Sequence, residues 1–347
     1  HPDSGSVVSF ASLEDTTSIL LGFTITGGSG TWNTDLNMRM GGGVYIYNAG
    51  ASILHNHIRQ NSVSDSTLCS GGGIAAFNMV HRWLLIRQNR IHHNTAHAQT
   101  YFANGGGLWL STSAQVTGNL IDHNTASNAT GDVDGAGLMA EIIPGQPDTI
   151  YILSNRITYN TGTASYRARG GGVGCVGISA LISGNEIHDN VLMAERTNGC
   201  GVWGNNTSFL EIRSNRIELN RTSASYAYTG VGCLVAFPQG PVHVIDNKIE
   251  SNGNASFPPQ TGNGGGLTVM DPFEHELAII GNRISWNNAV KGGAAFLRDA
   301  FNATITNNVF SHNSADEAGA IELNSQADRD GIRNQRNCEP LKLCNNT

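Results

Sequence analysis

Five ionisable residues are spaced so that chemistry can use them: Asp132, Asp134, Glu141, Arg167 and Arg169. Paired carboxylates on either side of a glycosidic bond hydrolyse it, one as acid and the other as base or nucleophile. Asp132 and Asp134, with backbone oxygens, also offer the hard oxygen donors that Ca²⁺ takes. Two guanidiniums nearby can bind carboxylates through paired hydrogen bonds. The plainer reading is a patch of ion pairs, each contributing ~0–1 kcal/mol. No metal-ligating spacing accompanies the cluster: the six Cys include no CxxC pair, and the His residues are scattered. Apart from Ca²⁺, no cofactor is indicated.

What positions these residues is a repeat. The phrase Asn, any residue, apolar, two residues, Asn occurs nine times, from Asn56-Ile58-Asn61 through Asn119-Ile121-Asn124 to Asn308-Phe310-Asn313. Repetition at 20–50 residues is the mark of a solenoid. A glycine cluster recurs in phase with it, as in Gly41-Gly42-Gly43 and Gly71-Gly72-Gly73. The fourth and sixth residues of each cluster are apolar or small (Val44/Ile46, Ile74/Ala76, Leu108/Leu110), which is the period of a strand with one buried face. A second strand precedes each Asn phrase (Leu84/Ile86, Ile150/Ile152), and a third holds its Ile.

Three strands per rung and no 3.6-residue period give an all-β, single-domain parallel β-helix of about 10–11 rungs. It spans residues 1–325, with 326–347 as a C-terminal cap or tail. Equivalent Asn residues would lie over one another and hydrogen-bond along the stack. Asn also tolerates the left-handed backbone of turns.

The Gly-Gly-Gly-Val, Asn-Arg-Ile and Gly22–Gly28 phrases resemble those of right-handed parallel β-helix repeat proteins, the fold of pectate lyases and of many bacterial surface proteins. The resemblance covers about residues 17–325 and implies the fold, not a reaction, because that fold hosts many functions. If the chain is an enzyme, the resemblance implies a polysaccharide lyase or glycoside hydrolase acting on an acidic polysaccharide. The spacing of the acid–arginine cluster matches no lyase motif.

The outward row after each glycine cluster is unusually apolar, with Tyr45, Tyr47, Phe77, Trp109, Trp203 and Phe296. Such a stripe marks an interface or a ligand groove. Three readings stay open: sugar rings stack on it, another protein covers it, or the chain's own loops fold over it. Regular Thr-x-Thr rows, which ice binding would want, are not evident.

The net charge is −7 and no Lys/Arg cluster stands out in the sequence, which argues against nucleic acid. No apolar run approaches the ~18 residues of a membrane span. The chain starts at His1-Pro2, as a processed or trimmed product would. Sequons at Asn128, Asn206, Asn220, Asn254 and Asn302 are candidate glycosylation sites. A Cys338–Cys344 bridge would suit a cap outside the cytoplasm. The expectation is an extracellular structural or adhesive β-helix. It would associate head to tail through an uncapped N-terminal rung, or bind glycans on the aromatic face.

Overall fold

The computed structural model describes residues 5–142, 149–254, 261–324 and 342–344. Among these every regular element is a strand, and no helix is long and apolar enough to cross a membrane. Four sheets run the length of the rod, of 11, 16, 11 and 10 strands. The front sheet holds the strands after the glycine clusters, such as Ile74–Phe77 and Leu108–Ser111. The base sheet holds Leu84–Arg87 and Ala114–Thr117, and the rim sheet Arg90–His92 and Leu120–Asp122. All three are parallel and in register from rung to rung.

The fourth sheet changes the outline that the repeat predicts. The segment between an Asn phrase and the next glycine cluster is not a loop. It is an arm of two limbs, Thr95–Ala98 going out and Phe102–Asn104 coming back. Each limb pairs with its equivalent on the next rung. A rung therefore has five strands, not three. The limbs close on a seam of small side chains, among them Ala96, Ala98, Ala103, Ala126 and Ala168. Later in the chain, Val191–Asn198 and Arg221–Thr229 run through both limbs as single strands, with a register shift between Ala194 and Arg196.

The core lies between the front, base and rim sheets. Val44, Ile46, Ile53 and Ile58 are fully buried there, as are their equivalents up the stack. The Asn phrases seal two of its corners. Asn89 Nδ2 donates to Asn119 Oδ1 at 3.0 Å and to Ile53 O at 2.8 Å, and the Asn89 backbone N–H reaches the same Oδ1 at 2.9 Å. This pattern repeats through both ladders, so each buried amide is satisfied at a net gain of about 1 kcal/mol per bond.

The Asn residues themselves do not adopt the left-handed backbone expected of them. The residue before each does, as at His55 (φ 53), Gln60 (φ 53) and His123 (φ 54). The Asn is left free to turn its amide inward. The glycine clusters do two jobs. The first Gly has positive φ (Gly71, 68). The third leaves room for the ladder: a Cβ on Gly73 would meet Gly107 O at 2.6 Å and Asn94 Nδ2 at 3.1 Å.

Strands Val8–Phe10, Ile19–Leu21 and Thr24–Ile25 are edge strands at one end of the rod. Of the expected cap, Lys342–Cys344 forms a strand parallel to Ala303–Thr306 and extends the base sheet. Cys344 is free and exposed, and Cys338 lies outside the described residues.

Candidate functional site

The arm brings the acid–arginine cluster together. Asp132–Asp134 and Arg167–Arg169 are returning-limb strands on adjacent rungs, with Asp132 opposite Arg167 and Asp134 opposite Arg169. Arg167 donates to Asp132 Oδ2 through Nε at 3.1 Å and Nη2 at 2.8 Å. Arg169 Nη2 bonds Asp134 Oδ2 at 2.8 Å and Asp132 Oδ2 at 3.2 Å, while its Nε reaches Asp134 Oδ1. The Arg169 guanidinium also lies over the Trp203 ring, 4.8 Å from its centroid. Both aspartates are buried.

Glu141 ends the facing front strand Leu138–Glu141 and accepts a hydrogen bond from Trp109 Nε1. Burial pushes its carboxyl up to about 7, and the Asp134 charge adds to the rise, against the Trp109 bond and the Arg169 charge. Burial also raises Asp134, with the Arg169 guanidinium opposing. The site is thus a corner between front sheet and arm, holding two carboxyls raised by burial, Glu141 and Asp134, with both aspartates bound by arginine. Those bonds leave neither aspartate poised to ligate Ca²⁺, and no group of three metal-ligating side chains occurs among the described residues.

The aromatic row is not an open platform. Tyr45, Phe77, Trp109, Trp203 and Phe296 are 2–6 % exposed, and only Tyr47 is half-buried. The first four pack with Met38, Met40 and Leu68 of the returning limbs into a second apolar layer. Asn33 Nδ2 bonds the Tyr45 hydroxyl at 2.9 Å. The segments before the glycine clusters therefore fold over the row and shut it.

Two sequons are corrected as well. Asn220 is a fully buried ladder residue, its Oδ1 held by Asn190 at 3.0 Å. Asn128 is buried and its Oδ1 caps the Thr130 and Gly131 N–H groups. Neither offers an amide to a glycosyl transferase in the folded state. Asn206 is exposed and Asn302 half-buried, while the Asn254 side chain lies outside the described set.

Other features were missed in the sequence. The outgoing limbs carry two files of mostly hydroxyl side chains, Ser62–Thr95–Thr125–Thr161 and Ser64–His97–Ser127–Thr163. The signal was a small polar residue one and three places after the second Asn, broken by His97. At the rim, His93, His123 and Tyr159 stack ring on ring with 5.1 Å between successive centroids.

A family model described as a right-handed β-helix region matches residues 147–336, and the chain belongs to that family. No curated protein and no solved structure matches the chain.

Proposed function

We propose that this protein is an extracellular structural and adhesive β-helix that holds a polysaccharide against the outside of a rigid rod. The observation that carries the reading is the closure of the acid–arginine cluster. Asp132 and Asp134 are buried and bound by Arg167 and Arg169, while varied side chains stand on outward files. Repeats ~4.8 Å apart offer a linear polymer many equivalent contacts rather than one reacting point. Self-association through the edge strands is a second form of the same role, and filaments in negative-stain images would reveal it. The test pairs a pull-down on polysaccharides with assays for reducing ends and unsaturated products. Retention without product is expected. Turnover lost in the Asp134→Ala, Arg169→Ala double variant would overturn the reading.

Glu141 favours a second reading. A carboxyl with pKa about 7 in a corner is poised to give or take a proton at neutral pH. That suits a lyase or hydrolase acting on an acidic polysaccharide. Glu141→Gln would then abolish turnover.

A further inference from the structure

The tip of the arm, where the outgoing limb turns back, carries tyrosines on alternate rungs. The returning limbs stand in register, with Phe102 opposite Asp132, Asp132 opposite Arg167, Arg167 opposite Arg196 and Arg196 opposite Ala227. The residues just before these five are Tyr101, Gly131, Tyr166, Glu195 and Tyr226, one per rung. The three tyrosines are 65, 42 and 41 % exposed. Large rings left in water along one line mark a contact surface.

The rungs between hold the rings apart. Gly131 admits no side chain, since an added Cβ would meet Thr100 O at 1.6 Å and Tyr101 O at 2.3 Å. The tip between Tyr101 and Tyr166 is therefore bare backbone. Between the other two rings lies a guanidinium: Arg196 Cζ is 5.5 Å from the Tyr166 centroid and 5.0 Å from that of Tyr226. Arg167, held by Asp132, lies 5.6 Å from the Tyr166 ring. These cation–π contacts brace the rings. Arg196 Nε is 3.9 Å from Glu195 Oε1, too far for a hydrogen bond, and its side chain is part-exposed. Arg196 thus has donors to offer an incoming acceptor.

We propose that the arm tip binds a proline-rich segment of another protein, extended along the rod axis as a polyproline II helix. The period decides the occupant. Tyrosines on every second rung recur at ~9.6 Å. A polyproline II helix turns once in three residues at ~3.1 Å each, so every third residue returns to the same side after ~9.3 Å. From Tyr101 to Tyr226 the mismatch stays below ~1 Å. A β-strand repeats a face every ~6.7 Å and two turns of α-helix take ~10.8 Å, so both lose step with the rings sooner. Proline rings pack on aromatic side chains at low entropic cost, because the helix is already formed. Its carbonyls have no internal partners and can accept from Arg196 and the tyrosine hydroxyls. This surface stands whether or not a polysaccharide binds the rod.

The experiment follows the fluorescence anisotropy of a labelled peptide with proline at every third position as the intact chain is added. A peptide of the same composition with that period scrambled, and a labelled cello-oligosaccharide, are run beside it. Wild type should bind the periodic peptide about tenfold more tightly than the scrambled one. Tyr101→Ala, Tyr166→Ala and Tyr226→Ala should each weaken binding by about tenfold, the scale of losing one aromatic anchor. Tyr159→Ala removes an exposed tyrosine at the rim and should leave binding unchanged. Unfolding midpoints equal to wild type keep the comparison free of folding defects. No binding of the periodic peptide, or equal binding of the scrambled one, overturns the proposal. Peptide binding that ignores all three tip variants overturns the site. Oligosaccharide binding lost in the tip variants, with no peptide bound, overturns the partner class and assigns the surface to a glycan.

Discussion

Asn94 Nδ2 lies 3.0 Å from Asn124 Oδ1, and the backbone N of Asn94 lies 3.1 Å from the same oxygen. One side-chain oxygen thus ends two donors of the rung before it. Asn124 in turn gives its Nδ2 protons to Ile91 O at 2.8 Å and Asn160 Oδ1 at 3.0 Å.

Asn124→Ala therefore leaves Asn94 N, Asn94 Nδ2 and Ile91 O without this partner on the rung before, and takes one of two donors from Asn160 Oδ1 on the rung after. It should cost about 2–4 kcal/mol, the sum of more than one unmet buried polar group. Asn313→Ala, at the partly exposed end of the same ladder, should cost less because water reaches the freed groups. Urea unfolding midpoints of the two variants, compared with wild type, check the order.

Glu141 makes stability depend on pH. Its carboxyl is raised from 4.5 to about 7, so between those values the folded state holds a proton that the unfolded chain has released. Stability from this group is present below pH 4.5 and is lost as pH rises towards 7. The loss is on the order of 1–3 kcal/mol, since a tenfold change in proton affinity is worth about 1.4 kcal/mol and solvent still reaches part of the side chain. Glu141→Gln should remove this slope. Thermal unfolding of both proteins across that range would show wild type falling relative to the variant.

The glycines divide into two kinds. An added Cβ at Gly107 meets Gly137 O at 2.5 Å and Asn124 Nδ2 at 3.0 Å. Gly107→Ala should destabilise by about 1–3 kcal/mol, the scale of overpacking a tight site. At Gly118 the Cβ meets only Gln88 Cγ at 3.6 Å, and Ser154 and Ser214 take positive φ at the same place before a ladder Asn. Gly118→Ser should stay within about 1 kcal/mol of wild type. Calorimetric midpoints distinguish the two.

Burial pushes the thiols of Cys69, Cys175, Cys200 and Cys233 up to about 12. Thiolate is the reactive form, so a disulfide reagent should leave these four unlabelled in the native protein. Cys344 is exposed and should react. Mass spectrometry before and after denaturation settles which sites carry the label.

The rod was legible because its period is carried by residues with sharp requirements. An inward Ile, a Gly at positive φ and an Asn that satisfies its own buried amide each leave a mark in the sequence. The arm was not legible. Its seam is Ala96, Ala98, Ala103 and Ala126, and alanine fits strand, turn or surface alike. Without the arm, the row of Trp109 and Trp203 stayed open to three readings: a sugar platform, a protein contact, or a stripe covered by the chain's own loops. With it the two rings are the buried floor beneath Arg169 and Glu141. The acid–arginine cluster could be found because its members share a register, but its closure depended on limb-to-limb pairing.

The ladders make the rod polar from end to end. Every ladder oxygen faces the rung before it, as Asn124 Oδ1 faces Asn94 and Asn160 Oδ1 faces Asn124. The side-chain amide dipoles therefore add rather than cancel, as peptide dipoles do in a helix. The negative pole lies towards Asn56 and Asn61 and the positive towards Asn308 and Asn313. In an electric field such molecules would align with a preferred sense, and electric birefringence in dilute, low-salt solution would measure that permanent moment.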